Sequence, residues 1–130
     1  MKRYMLDTNT VSHLIKAHPA VTRRVVAAPM ASLCISAITE GELLFGLAKR
    51  PEAKRLHVAV RELLLRLDVL PWNSAGHYGI ARAEMEGQGR TLAPLDLLIA
   101  AHALGVGAIL VTNDRAFRQV AGLQLEDWTK

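Results

Sequence analysis

Three aspartates stand at points where an apolar segment ends or begins, and strand tips have no structural need of carboxylates. Asp7 follows Tyr4-Met5-Leu6, and Asp114 follows the apolar run 108–111 through Thr112-Asn113. Asp96 comes directly after Pro94-Leu95, ahead of Leu97, Leu98, Ile99, Ala100, Ala101, Ala103 and Leu104, a stretch apolar almost all round. Taken singly, each has a plain reading as a helix cap or a turn residue. Gathered in one place, three carboxylates repel one another unless a cation sits between them. An all-oxygen donor set selects a hard ion, Mg²⁺ or Mn²⁺. A fourth carboxylate is expected from the segment Ile38-Thr39-Glu40-Gly41-Glu42-Leu43-Leu44-Phe45-Gly46-Leu47. At about 100° per residue its apolar arc centres near Ala37, Leu44 and Ala48, with Glu40 inside the arc and Glu42 at its edge, so periodicity leaves the choice open.

No softer metal competes for this site. His13, His18, His57, His77 and His102 are scattered without ligand spacing, and His102, inside the apolar stretch, reads as a packed core histidine. The single cysteine, Cys34, excludes an internal disulfide and a cysteine-based zinc site, and its apolar surroundings predict a buried, reduced thiol.

Positioning these acids requires elements that alternate. Short apolar runs of strand type at 4–7, 33–36, 69–70 with its flanks, 108–112 and, weakly, 123–125 are separated by stretches of helical period. The helices are predicted at 10–17, 21–27, 38–49, 52–66, 75–87 and 95–104, with a short one at 115–120. Ser74 is expected to cap the fifth helix, Pro94 to occupy the first turn of the sixth, and Gly105 to end it in a left-handed conformation. Strands separated by helices pair in parallel and carry helices on both faces. The expected fold is therefore a single α/β domain over 1–130, a three-layer α/β/α sandwich around a mostly parallel sheet of four or five strands. Ligands of such sheets bind beyond the carboxyl ends of the strands where strand order reverses, which gives the tips of the first and fourth strands, Asp7 and Asp114, particular weight.

Composition bounds the rest. Of 130 residues, 51% are hydrophobic and 22% charged, the balance of a chain that buries a core and not that of a disordered one. The longest apolar runs fall well short of the roughly 20 residues that cross a bilayer, so no membrane association is expected. Met1-Lys2-Arg3 is basic, but the apolar stretch behind it stops at Asp7, short of a signal sequence, which favours a cytoplasmic location. The net charge is +4, from 16 Lys and Arg against 12 Asp and Glu; with four acids committed to metal, 16 bases face the remaining eight acids around an acidic pit. That balance suits RNA, whose phosphates basic side chains hold and steer. Lys49, Arg50, Lys54 and Arg55 form the densest basic cluster, which reads first as a solvated helix end. Aromatics are only 5%, so no stacking platform for single-stranded bases is evident and structured RNA is the expected substrate.

Together these residues resemble the PIN-domain endoribonucleases and, within them, the VapC toxins of type II toxin-antitoxin systems. Met5-Leu6-Asp7-Thr8-Asn9-Thr10 is similar to the family's opening motif, and Ile38-Thr39-Glu40-Gly41-Glu42-Leu43 with Gly46 to its second. Pro94-Leu95-Asp96 running into Leu98-Ile99-Ala100-Ala101-His102-Ala103 is similar to the third, Leu110-Val111-Thr112-Asn113-Asp114 to the fourth, and Trp128 lies in the usual closing segment. The resemblance covers the whole chain and implies a catalytic set of Asp7, Glu42, Asp96 and Asp114, selecting Glu42 over Glu40. It implies that Asp7 and Asp96 ligate Mg²⁺, for which Mn²⁺ substitutes, with Asp114 on a weaker second ion and Glu42 a ligand or water-orienting base. Thr112 would support the metal or its water, and Asn9 and Asn113 are candidates for outer contacts.

The reaction implied is hydrolysis of an RNA phosphodiester, such as one in tRNA or ribosomal RNA, leaving 5′ phosphate and 3′ hydroxyl ends. The resemblance also implies a VapB-like antitoxin whose C-terminal segment obstructs the acidic cleft. The apolar excess of so small a domain predicts a homodimer. Two competing enzyme classes fit poorly: a haloacid dehalogenase-type phosphatase needs a second acid where Asn9 stands, and a receiver domain needs a lysine after the fourth or fifth strand. A non-catalytic RNA-binding PIN fold is the remaining alternative, and the intact acids argue against it.

Overall fold

The computed structural model describes residues 2–130. Five short strands form one parallel sheet in the order β3-β2-β1-β4-β5: β1 (Tyr4–Leu6), β2 (Leu33–Ser36), β3 (Asp68–Leu70), β4 (Ile109–Val111) and β5 (Leu125–Glu126). The helices are α1 (Thr8–Ile15), α2 (Pro19–Ala27), α3 (Ala37–Ala48), α4 (Lys54–Arg66), α5 (Ala75–Gly87) and α6 (Pro94–Val106), with 3₁₀ turns at Met30–Ser32 and Arg115–Gln119. The expected alternation is present. The weak last strand lies slightly later than predicted, because Leu125 and Glu126 are the residues that reach the edge of β4, in register with Leu110 and Val111.

Strand order reverses at β1. The chain moves outward from β1 to β2 and β3, then returns to place β4 on the other side of β1. Crossovers of one hand require that this reversal switch the helices to the opposite face. The two cores bear this out, since strand residues alternate between them with the pleat. Leu6, Leu33, Ile35 and Val111 pack with Val11, Val21, Leu43, Leu47 and Val60 of α1 to α4. Met5, Cys34 and Leu110 pack with Ala81 and Met85 of α5, Leu97, Ile99, Ala100 and Ala103 of α6, and Phe117. Cys34 is buried and unpaired, and burial pushes its thiol pKa up to about 11.

Two local expectations are corrected. Ser74 precedes α5, but its hydroxyl donates to Asn73 Oδ1 at 3.3 Å instead of capping the helix. Gly105 does not end α6, which continues to Val106, and Gly107 takes the left-handed conformation (φ 69°). Gly105 serves close approach instead: a Cβ there would lie 2.2 Å from Ser74 Oγ, so its lack of a side chain lets α6 pass the start of α5. Pro94 opens α6 as predicted.

A further correction concerns α3. Its buried residues are Thr39, Leu43 and Leu47, whereas Leu44 and Ala48, on the predicted inner arc, are exposed. A helix apolar on most of its circumference has no decisive inner stripe, so packing against the sheet, and not periodicity, selects the face that is covered.

Candidate active site

The acids converge on the carboxyl end of the sheet, at the switch between β1 and β4. The Asp7 backbone N–H continues the ladder by donating to Val111 O at 3.1 Å. Its side chain then caps α1, with Oδ1 accepting from Thr10 N–H at 2.8 Å. The Thr10 hydroxyl in turn donates to Val111 O at 2.9 Å, so the start of α1 is fastened to the tip of β4. Asp7 is 3% exposed, and burial raises its pKa above the ordinary carboxylate value; the hydrogen bond from Thr112 and the Thr10 N–H oppose that rise, and the charge of Asp114 adds to it.

Thr112 lies between two of the acids. Buried just past β4, its hydroxyl lies near enough to Asp7 to oppose the rise of that pKa, while its Oγ1 accepts the Asp114 backbone N–H at 3.0 Å. Asp114 caps the 3₁₀ turn through Oδ1, which accepts from Ala116 N–H at 2.9 Å. Asp7 and Asp114 thus do serve as caps, each through Oδ1.

Asp96 behaves differently. It sits half-buried in the first turn of α6, yet Ala93 is the capping residue and the Asp96 side chain has no hydrogen-bond donor among the described residues. Its pKa is raised by burial first, then by the charges of Asp114, Glu42 and Asp7. Asp96 therefore feels the other three acids.

Glu42 projects from the middle of α3 and is half-buried. Its Oε1 accepts from the Thr8 hydroxyl at 2.6 Å, a residue that the sequence reading passed over even though it lies beside Asp7. Glu40 is also half-buried but makes no hydrogen bond among the described residues. Asn9 and Asn113 are both exposed, and neither side chain bonds to the acids.

A second connection joins the two helices that carry Glu42 and Asp96. Ser36 Oγ caps α3 by accepting from Ile38 N–H at 3.1 Å and pairs with His102 Nδ1 of α6 at 2.7 Å. His102 is fully buried, as expected of a core histidine, and desolvation lowers its pKa, which keeps it neutral.

The donor set suits a hard divalent cation. It is all oxygen, it carries up to four negative charges, and both Asp7 and Asp96 are held where an added positive charge would relieve them. Among the described residues no three His, Cys, Asp or Glu side chains form a ready-made cage around one point.

Comparison with known proteins bears on the family and the fold. The PIN domain family matches residues 4–123. The chain is 39% identical over 132 residues to the tRNA(fMet)-specific endonuclease VapC of Shigella flexneri, covering 99% of this chain and all of that protein. It is 37% identical to ribonuclease VapC2 of Haemophilus influenzae over 98% of this chain and 99% of that one. Among solved structures, the DNA-bound VapBC of Salmonella typhimurium superposes with a TM-score of 0.91 at 37% identity, covering 98% of this chain and 99% of that one. VapBC2 of Rickettsia felis, bound to a promoter DNA fragment, gives 0.89 at 32% identity over 96% and 98% of the two chains. With its switch-point acids, its five-stranded parallel sheet and relatives alike over their whole length, the chain belongs to the PIN domain family and, within it, to the VapC-type endoribonucleases.

Proposed function

We propose that this endoribonuclease hydrolyses phosphodiester bonds of a structured RNA such as tRNA with the help of Mg²⁺, which Mn²⁺ replaces, and that a VapB-like antitoxin silences it. The observation that carries the metal reading is Asp96: a half-buried carboxylate with no donor, whose proton affinity is raised by burial and three neighbouring acids. Such a group is costly to keep charged unless it ligates a cation.

Asp7 and Asp96 would hold the ion, with Asp114 a weaker ligand to a second one; it would supply neutralisation of phosphoryl-oxygen charge and a more acidic water. Thr112 anchors the backbone of Asp114 through its Oγ1, close beside Asp7. Thr8 occupies Oε1 of Glu42, which leaves Oε2 to orient the attacking water and accept its proton. The Ser36–His102 pair holds α3 and α6, and so Glu42 and Asp96, at a constant separation. In-line attack on phosphorus with loss of the 3′ oxygen leaves 5′ phosphate and 3′ hydroxyl ends.

The tRNA reading is supported by the Shigella flexneri relative, whose name specifies tRNA(fMet), and the antitoxin by the VapBC complexes among the structural neighbours. A homodimer is supported by large apolar side chains left open to solvent, including Phe45 at 62% and Ile80 at 64% exposure. No helix among the described residues is long and apolar enough to cross a membrane, which is compatible with a cytoplasmic location. Purified protein incubated with total tRNA should cleave it with Mg²⁺ and not with EDTA, and Asp96→Asn should be inactive. Cleavage that survives EDTA, or ends bearing 2′,3′ cyclic phosphate, would refute the metal mechanism. Stoichiometric binding of uncut tRNA by the wild type with Mg²⁺ present would favour the non-catalytic RNA-binding alternative.

A further inference from the structure

Beside the acids, the carboxyl ends of β4 and β5 frame a second cleft of about 200 Å³. One wall is the site itself, Thr112, Asn113 and Asp114; the other carries the cations Arg115, Arg118 and Lys130. All three cations are exposed, and none takes part in an ion pair among the described residues. The other acids that line the cleft are already satisfied. Glu126 Oε1 accepts from Arg24 at 3.0 Å and from Trp128 Nε1 at 2.9 Å. Asp127 Oδ1 accepts the Thr129 hydroxyl at 2.6 Å and its N–H at 2.9 Å, and those bonds, with smaller help from the charges of Lys130 and His13, hold its pKa below the usual carboxylate value. The cleft therefore offers unpaired positive charge next to an acid that is placed to ligate metal.

We propose that Arg115, Arg118 and Lys130 form a subsite for an RNA backbone phosphate adjoining the scissile one, reached past Asp114. This rests on the nuclease reading above and adds to it a register for the substrate. A nucleic-acid chain lying across the sheet's carboxyl edge meets a cation-filled acidic pit at one phosphate and a guanidinium pair at a neighbouring one. Arginine suits that second contact because its planar fork donates two parallel hydrogen bonds to phosphate oxygens. The acidic pit alone would attract any cation; the adjoining basic wall makes the neighbourhood selective for a polyanion whose charges are regularly spaced. Recognition here is through the backbone, so the subsite sets position along the RNA and not sequence.

The test uses the full chain with bulk tRNA as the probe. Binding of labelled tRNA to the inactive Asp96→Asn protein is measured by anisotropy across a salt series, alone and combined with Arg115→Ala, Arg118→Ala or both. Each arginine removed should weaken binding several-fold and reduce the slope of log affinity against log salt by about 1. Arg118→Lys should restore the slope but only part of the affinity, since the charge returns without the fork. Arg61→Ala, on α4 beside the opposite sheet edge, is the comparison and should leave the slope unaltered. In the otherwise wild-type enzyme the same arginine variants should raise KM for tRNA more than they lower kcat. Unchanged slopes and KM would overturn the subsite even though the wild type cuts RNA normally. So would variants that loosen the grip of a co-purified antitoxin while tRNA binding stays the same, which would assign the cleft to a protein. Failure of the wild type to cut any RNA with Mg²⁺ would instead refute the nuclease reading, with the binding series reporting on the subsite independently.

Discussion

The Thr8 hydroxyl donates to Glu42 Oε1 at 2.6 Å, across 34 positions of sequence, and so ties the first turn of α1 to the middle of α3. Asp7 caps that same turn, which makes the positions of Asp7 and Glu42 interdependent. Thr8→Ala should therefore lower kcat on tRNA by about tenfold, the scale on which outer hydrogen bonds act at metal sites, while Thr8→Ser keeps most of the activity. Glu42→Gln should abolish cleavage and Glu40→Gln should leave it nearly intact, as measured by single-turnover rates. Equal loss in both would detach Glu42 from the chemistry.

Asp7 is a carboxylate whose folded-state pKa lies above its unfolded value because it is buried. Protonation stabilises the fold in such a case: the contribution is complete below the unfolded pKa and is lost as pH rises through the folded one. At neutral pH the metal-free protein thus carries a strained charge. Asp7→Asn keeps a good helix cap and removes the charge, so it should raise Tm by a few degrees, about what ~1 kcal/mol produces in a small domain, while activity disappears. Thermal melts of both proteins in EDTA at pH 7.5 measure this, and the gap should narrow as pH is lowered.

Metal binding has the opposite pH dependence. The ligands must be deprotonated, and Asp7 and Asp96 both hold their protons more tightly than free carboxylates. Titration calorimetry with Mn²⁺ should show affinity beginning to fall, as pH is lowered, above the range in which ordinary aspartates protonate. In Asp96→Asn that fall should be shallower, because one of the two competing protons is gone.

Gly105 is placed for contact with its neighbours and not for helix ending. In a helix interior Ala normally stabilises relative to Gly by roughly 1 kcal/mol. At Gly105 the new Cβ would meet Ser74 Oγ at 2.2 Å and Ser74 Cβ at 2.9 Å, so Gly105→Ala should lower Tm. Gly79→Ala, at an exposed position of α5 where nothing lies within 4 Å, should raise it. A Ser74→Gly, Gly105→Ala double variant should recover most of the loss if the contact is the cause.

The acids at 7, 96 and 114 were legible from the sequence because each interrupts an apolar segment, and burial is something composition records directly. The βα alternation was legible for the same reason, and with it the parallel sheet and its switch point. What the chain could not declare was orientation wherever polarity was uniform. α3 is apolar on most sides, so only packing against β2 decided that Thr39, Leu43 and Leu47 turn inward and that Leu44 faces out. Contacts between residues far apart in the chain were equally hidden: Thr8 meeting Glu42, Ser36 meeting His102, and Thr10 meeting Val111. So was the cationic wall, since Lys130 joins Arg115 and Arg118 only because β5 lies beside β4. Local pattern determines which residues are buried and which elements they form; the partner of each polar atom depends on chain closure over long loops, and that is decided only when the whole sheet is assembled.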